Sequence, residues 1–77
     1  MMNNYKNTLR IYDEVGNLLN ESHDTLFIME CLANQLKAKY LGKTQTIKKI
    51  VREQLYWAER ITVYYSDSKY QFTLEEK

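Results

Sequence analysis

The sequence contains no proline, only two glycines, one cysteine and one histidine among its 77 residues. One cysteine cannot form an internal disulfide, and a structural zinc site needs a Cys/His cluster that is missing. No stretch approaches the roughly 18–20 apolar residues of a membrane helix, and residues 1–6 lack the apolar core of a signal peptide. We therefore expect a cytoplasmic chain with no membrane partner, no metal and no cofactor.

What is present is enough apolar and aromatic side chains, 44% and 13% of the residues, for a folded chain. The length predicts a single domain over residues 1–77, with a small core that buries roughly 60% of the unfolded surface. The formal net charge of +1 predicts no strong attraction of the whole molecule to nucleic acid.

The first half of the chain reads as two strands and a helix. Alternation predicts strands over 8–12 and from 18 to about 21. Gly16-Asn17 is the clearest turn, because both residues tolerate positive φ, and the loop would have two or four residues. A helix would then run from about Thr25 to Leu41, with Ser22 or Asp24 as its N-cap and Gly42 as its C-terminal stop.

The second half reads as a helix and two strands. A second helix would start at Thr44 or Thr46 and run to about 56–58, since its apolar spacing fits 3.6 residues better than the 2 of a strand. Strands over 60–65 and 70–74 then form a terminal hairpin. The predicted core positions of the helices are Ile28, Met29, Leu32, Ala33, Leu36, Tyr40, Ile47, Ile50, Val51, Leu55 and Ala58.

These elements predict an α+β fold of order ββααββ. Two hairpins would form a small antiparallel sheet, and the two helices would pack on one face of it.

A basic segment is the most informative feature of the charge pattern. Between Cys31 and Arg52 the chain carries six basic residues and no acidic one. Basic groups with an aromatic neighbour can bind phosphates and bases, and the same face could dock on an acidic protein surface. The alternative is an ordinary solvated helix face. The candidate residues of this basic helix face are Lys43, Lys48, Lys49, Arg52 and Tyr56.

Tyrosine is abundant, with seven in the chain. Tyr64 points away from Tyr65 on its predicted strand, and we expect Tyr64 and Tyr12 to be exposed partner-binding aromatics. Tyrosine provides a large contact area with little rotamer entropy. The alternative is that strands simply favour tyrosine.

A third candidate surface lies on the first predicted helix. Phe27, Cys31 and Ala38 project roughly opposite the main core face at ~100° per residue. A second copy of the chain could cover this stripe and form a homodimer. The alternative is that the terminal hairpin or the second helix already covers it.

The sequence offers little for catalysis. His23 and Cys31 are eight residues apart with a helix start between them, and the glycines form no phosphate loop. We therefore expect a protein that is not an enzyme.

Two local segments resemble DNA-binding motifs. Ala38 and Gly42 have the spacing of the helix-turn-helix pattern, although Ile47 and Ile50 are one residue out of register. Residues 42–46 resemble the inter-helix turn of ribbon-helix-helix proteins. These resemblances imply a dimeric DNA-binding transcriptional regulator that uses the basic segment 37–52, which is the alternative function.

In general form the chain resembles the compact inhibitors that phages and mobile elements encode, including anti-CRISPR proteins. The resemblance is one of type, carried by no diagnostic motif. It implies a small binding protein in the host cytoplasm that inhibits or modulates a larger protein or nucleoprotein complex by sterically occupying a surface. This is the principal prediction from the sequence.

Overall fold

The computed structural model describes residues 6–77. The prediction that residues 1–6 lack the core of a signal peptide therefore lies almost entirely outside the described residues. Among these residues no helix is long and apolar enough to cross a membrane. The predicted order ββααββ is confirmed. The elements are β1 (Thr8–Tyr12), β2 (Leu18–Ser22), α1 (Thr25–Lys37), α2 (Thr44–Trp57), β3 (Ala58–Ser66) and β4 (Lys69–Glu76).

The four strands form one sheet in the order β2-β1-β3-β4. The prediction of an antiparallel sheet is wrong at its centre, because β1 and β3 are parallel, and only the two outer pairs are antiparallel. The helices return the chain to the end of the sheet where β1 begins. β3 therefore runs in the same direction as β1, and the sheet is mixed.

The connection between β1 and β2 is centred where the sequence predicts it but is longer. Tyr12 pairs with Leu18, so residues 13–17 form a five-residue loop, and neither predicted loop length is correct. The Asp13 N–H donates to the Asn17 carbonyl at 2.9 Å, and Gly16 adopts a φ of +90°. The backbone N–H of Asn17 also holds the pKa of the Asp13 carboxyl below its ordinary value.

The helix ends differ from the prediction at two points. The Asp24 carboxylate caps α1 by accepting from the Leu26 N–H at 3.0 Å, which selects Asp24 over Ser22 as the N-cap. α1 ends at Lys37, and residues 38–42 form turns. α2 has Lys43 as its N-cap residue and no side-chain cap, so the expected threonine caps are wrong.

The core lies between the helices and one face of the sheet. Most predicted core positions are buried or half-buried, but Met29 is 37% exposed. The buried apolar residues are Leu9, Ile28, Leu32, Leu36, Val51, Leu55, Ala58, Ile61 and Val63.

One polar side chain, Asn7, is buried with the core at 2% exposure. Its Nδ2 donates to the carbonyls of Leu55 at 3.1 Å and Ala58 at 2.7 Å. α2 passes into β3 at this point without a loop, and the last carbonyls of a helix lack partners within it. Asn7 therefore satisfies the helix end and fixes the start of β1 beside the start of β3.

We expect Asn7→Ala to reduce the free energy of unfolding by about 2 kcal/mol, because it leaves two buried carbonyls without these donors. Urea unfolding measures the change. The matched control is Asn34→Ala on the exposed side of α1, which should change stability by less than about 0.5 kcal/mol. Equal losses in the two variants would show that Asn7 does not hold this junction.

Candidate partner-binding surfaces

One face of the sheet is not covered by either helix. Alternation along β1 and β3 points every second side chain away from the core. Parallel pairing then places Thr8 beside Arg60, Arg10 beside Thr62, and Tyr12 beside Tyr64. We name this set the open face: Thr8, Arg10, Tyr12, Arg60, Thr62 and Tyr64.

The two predicted binding tyrosines meet on the open face. Tyr12 and Tyr64 are 52 residues apart in the sequence, and their rings stack with centroids 5.6 Å apart and planes at 25°. Tyr64 is 45% exposed and Tyr12 is half-buried. Leu18 of β2, paired with Tyr12, is 50% exposed and extends the apolar part of the surface.

Two arginines flank the tyrosines, and each is paired with a carboxylate from an outer strand. Arg10 Nε lies 3.4 Å from Glu21 Oε2, and Arg60 Nη2 lies 2.7 Å from Glu75 Oε1. Exposed pairs of this kind add little stability. They do hold the guanidinium groups in place, and they make the surface one of mixed charge rather than of one sign.

A shallow depression of about 210 Å³ lies among the side chains of Arg10, Tyr12, Arg60 and Tyr64. Small-molecule pockets usually have volumes of roughly 300–1,000 Å³. The depression is therefore better matched to one inserted side chain of a macromolecular partner than to a free ligand.

The basic helix face is a second, separate surface. Lys48, Lys49, Arg52 and Tyr56 are all exposed along α2, and Tyr56 reaches 76% exposure. Lys43, at the N-cap, is exposed as well. Within residues 6–77, none of these basic side chains forms an ion pair. Because α2 packs on the covered side of the sheet, these residues lie opposite the open face.

The third predicted surface is wrong as a continuous exposed stripe. Phe27 and Cys31 are half-buried and pack against the core, since Cys31 is only about 60° from Ile28 around the helix. Ala38 is exposed but lies beyond the end of α1. Phe27 and Cys31 line a groove together with Tyr70 and Phe72 of β4, so the terminal hairpin lies beside these two residues. Self-association itself stays a prediction.

The arginines of the open face were not singled out from the sequence. The signal was available, because Arg10 alternates with Tyr12 along one strand and Arg60 shares a strand face with Tyr64. The pair of Arg10 and Tyr12 meets the pair of Arg60 and Tyr64 only because β1 and β3 are parallel neighbours. The sequence did not indicate this pairing.

Sites for chemistry are scarce in the described part of the chain. Within residues 6–77 there is no group of three His, Cys, Asp or Glu side chains that could hold a metal ion. His23 Nδ1 lies 3.3 Å from Thr8 Oγ1, and His23 Nε2 lies 4.0 Å from Glu21 Oε2. His23 therefore lies beside the open face, next to Thr8 and to the carboxylate that pairs with Arg10.

No family model matches the sequence, and comparisons with curated proteins and with solved structures give no match either.

We expect Cys31 to react slowly with iodoacetamide. Burial raises the pKa of the Cys31 thiol above its ordinary value, and the carboxylate of Glu30 raises it further. Only the thiolate is nucleophilic, so the reactive fraction at neutral pH is reduced. The measurement is the alkylation rate as a function of pH. The control carries Cys31→Ser and Ala38→Cys, and its exposed thiol should titrate at a lower pH. Coinciding profiles would contradict the expected burial effect.

Proposed function

We propose that the chain is a non-enzymatic binding protein that inhibits or modulates a larger protein or nucleoprotein complex by occupying one of its surfaces. The observation that supports this best is the stacked pair of Tyr12 and Tyr64 on a sheet face that no described element covers. The activity proposed is steric, as in the phage-type and anti-CRISPR inhibitors that the chain resembles in general form.

The composition of the open face favours a protein partner. Tyrosine and arginine, with tryptophan, are enriched among the side chains that dominate interface energies. The charges of Arg10, Arg60, Glu21 and Glu75 cancel locally. A polyphosphate would be repelled by the carboxylates of Glu21 and Glu75, whereas a protein surface of mixed charge can match both signs.

The open face is also rigid. Its tyrosines and arginines stand on the two central strands, which are hydrogen-bonded on both sides. Little ordering of the backbone is then needed on binding, and preorganisation of this kind increases affinity. The molecule measures 36 × 28 × 18 Å, so its broad side is large enough for the roughly 800 Å² that each partner buries in a standard interface.

The test is affinity capture of the tagged chain from extracts of its native cell. We expect Tyr12→Ser with Tyr64→Ser to reduce the captured partner at least about tenfold, because two hot-spot aromatics are lost. The matched control, Tyr65→Ser with Tyr70→Ser, removes another packed pair of exposed tyrosines that lies off the open face and should retain the partner.

Circular dichroism confirms that both variants are folded before capture is compared. Full retention by the open-face variant, or an equal loss in the control, would rule out the open face as the binding surface.

The second candidate is the dimeric DNA-binding regulator that uses the basic segment 37–52. The observation that favours it is the exposure of Lys43, Lys48, Lys49 and Arg52 without an ion pair among residues 6–77.

A salt titration of binding to duplex DNA tests the second candidate. Each neutralised phosphate contributes ~0.9 to the logarithmic slope. Changing Lys48, Lys49 and Arg52 to Ala should lower the slope by the equivalent of about three contacts, while Tyr12→Ser with Tyr64→Ser leaves it unchanged. Absence of binding at low salt, or a slope insensitive to the three alanines, would exclude this candidate.

A further inference from the structure

An apolar groove of about 470 Å³ runs between α1 and α2, on the side of the molecule opposite the open face. Met29 and Ala33 of α1 and Ile47 and Val51 of α2 line it. Val51 is buried at the bottom, Ala33 and Ile47 are half-buried, and Met29 is 37% exposed. Water therefore reaches apolar side chains from both helices along one continuous strip.

The two rims of this groove carry different charges. Lys48 and Arg52 stand on the α2 rim, one helical turn apart, and both are exposed without an ion pair among residues 6–77. Glu30 stands on the α1 rim and is likewise exposed. The combination is an apolar strip with two free cations along one edge and one anion along the other.

We propose that this groove is a docking site for an acidic amphipathic segment of a partner protein. The apolar face of such a segment would cover Met29, Ala33 and Ile47, as in other complexes in which a helix binds in a groove. Its carboxylates would lie against Lys48 and Arg52. The site is independent of the open face and lies on the other side of the sheet.

The charges on the two rims determine which side of the segment faces each helix. Carboxylates face α2, and a neutral or basic residue faces Glu30, since a carboxylate there would be repelled. Nucleic acid matches this groove less well, because its phosphates could use Lys48 and Arg52 but would leave the apolar strip exposed to water.

The experiment uses three synthetic peptides of the length of α2, 14 residues. The first carries Leu at helical spacing with Glu along one flank of the Leu stripe and Gln at the remaining positions, the second has the same composition in scrambled order, and the third has Lys in place of Glu. Binding to the full chain is followed by NMR of the methyl groups of Met29, Ala33, Ile47 and Val51. We expect the first peptide alone to shift the methyl signals of these four residues in a saturable manner.

Charge reversal provides the decisive variant. Lys48→Glu with Arg52→Glu should weaken the acidic peptide at least about tenfold and should gain affinity for the basic peptide, because like charges face each other in the first case and opposite charges in the second. The matched control, Lys69→Glu with Lys77→Glu, changes the net charge equally on β4 and at the C-terminus and should leave both affinities unchanged. Met29→Gln alters the apolar strip without altering charge and should weaken the acidic peptide about threefold.

Three results would overturn this proposal: unshifted methyl signals, equal binding of the scrambled or basic peptide, or duplex DNA that shifts the same methyl groups and displaces the acidic peptide. Tyr12→Ser with Tyr64→Ser should bind the acidic peptide normally. The proposal for the groove and the proposal for the open face can therefore fail separately.

Discussion

The structure depends on the contact that the Asn7 carboxamide makes with the carbonyls of Leu55 and Ala58. At this junction the chain changes from helix to strand with no connecting residue, and the first strand starts alongside. The contact lies at the start of the parallel pairing of β1 with β3, and this pairing places Tyr12 beside Tyr64. A slip of one residue would turn the side chains of β1 to the opposite face. Both the core and the open face therefore depend on this register, and the buried amide supports it where β1 begins.

The topology leaves two surfaces without a partner in the described chain. Both helices lie between β2 and β3 in sequence and pack on one side of the sheet, so no element of residues 6–77 covers the other side. The outer surface of the helix layer carries the basic residues of α2 and the groove beside α1. Because the sheet separates these surfaces, contact at one leaves the other accessible. That arrangement suits a small protein that acts by occupying space on a larger assembly.

Local patterns predicted much of this structure. Alternation placed Tyr12 and Tyr64 outward on their strands, and helical spacing placed Lys49 and Arg52 on an exposed face. The direction of β3 relative to β1 could not be predicted, because it depends on where two helices return the chain and not on the residues of either strand. Asn7 gave no signal either, since a polar residue ahead of a strand is usually solvated. Phe27 and Cys31 were misplaced because they lie at the edge of the buried helix face, with Cys31 only about 60° from Ile28.

The two surfaces differ most in how their charges are compensated. On the open face Arg10 and Arg60 already have carboxylate partners, so a bound protein exchanges one set of ion pairs for another, and the net electrostatic change is small. On α2, Lys48 and Arg52 form no ion pair with any carboxylate of residues 6–77. Their charges are therefore compensated by solvent and counterions. Association there gains new ion pairs, and salt screens exposed pairs over a Debye length of about 8 Å at physiological ionic strength. The open face therefore suits contacts that persist as salt rises, whereas the surface of α2 that carries Lys48 and Arg52 suits contacts that salt weakens.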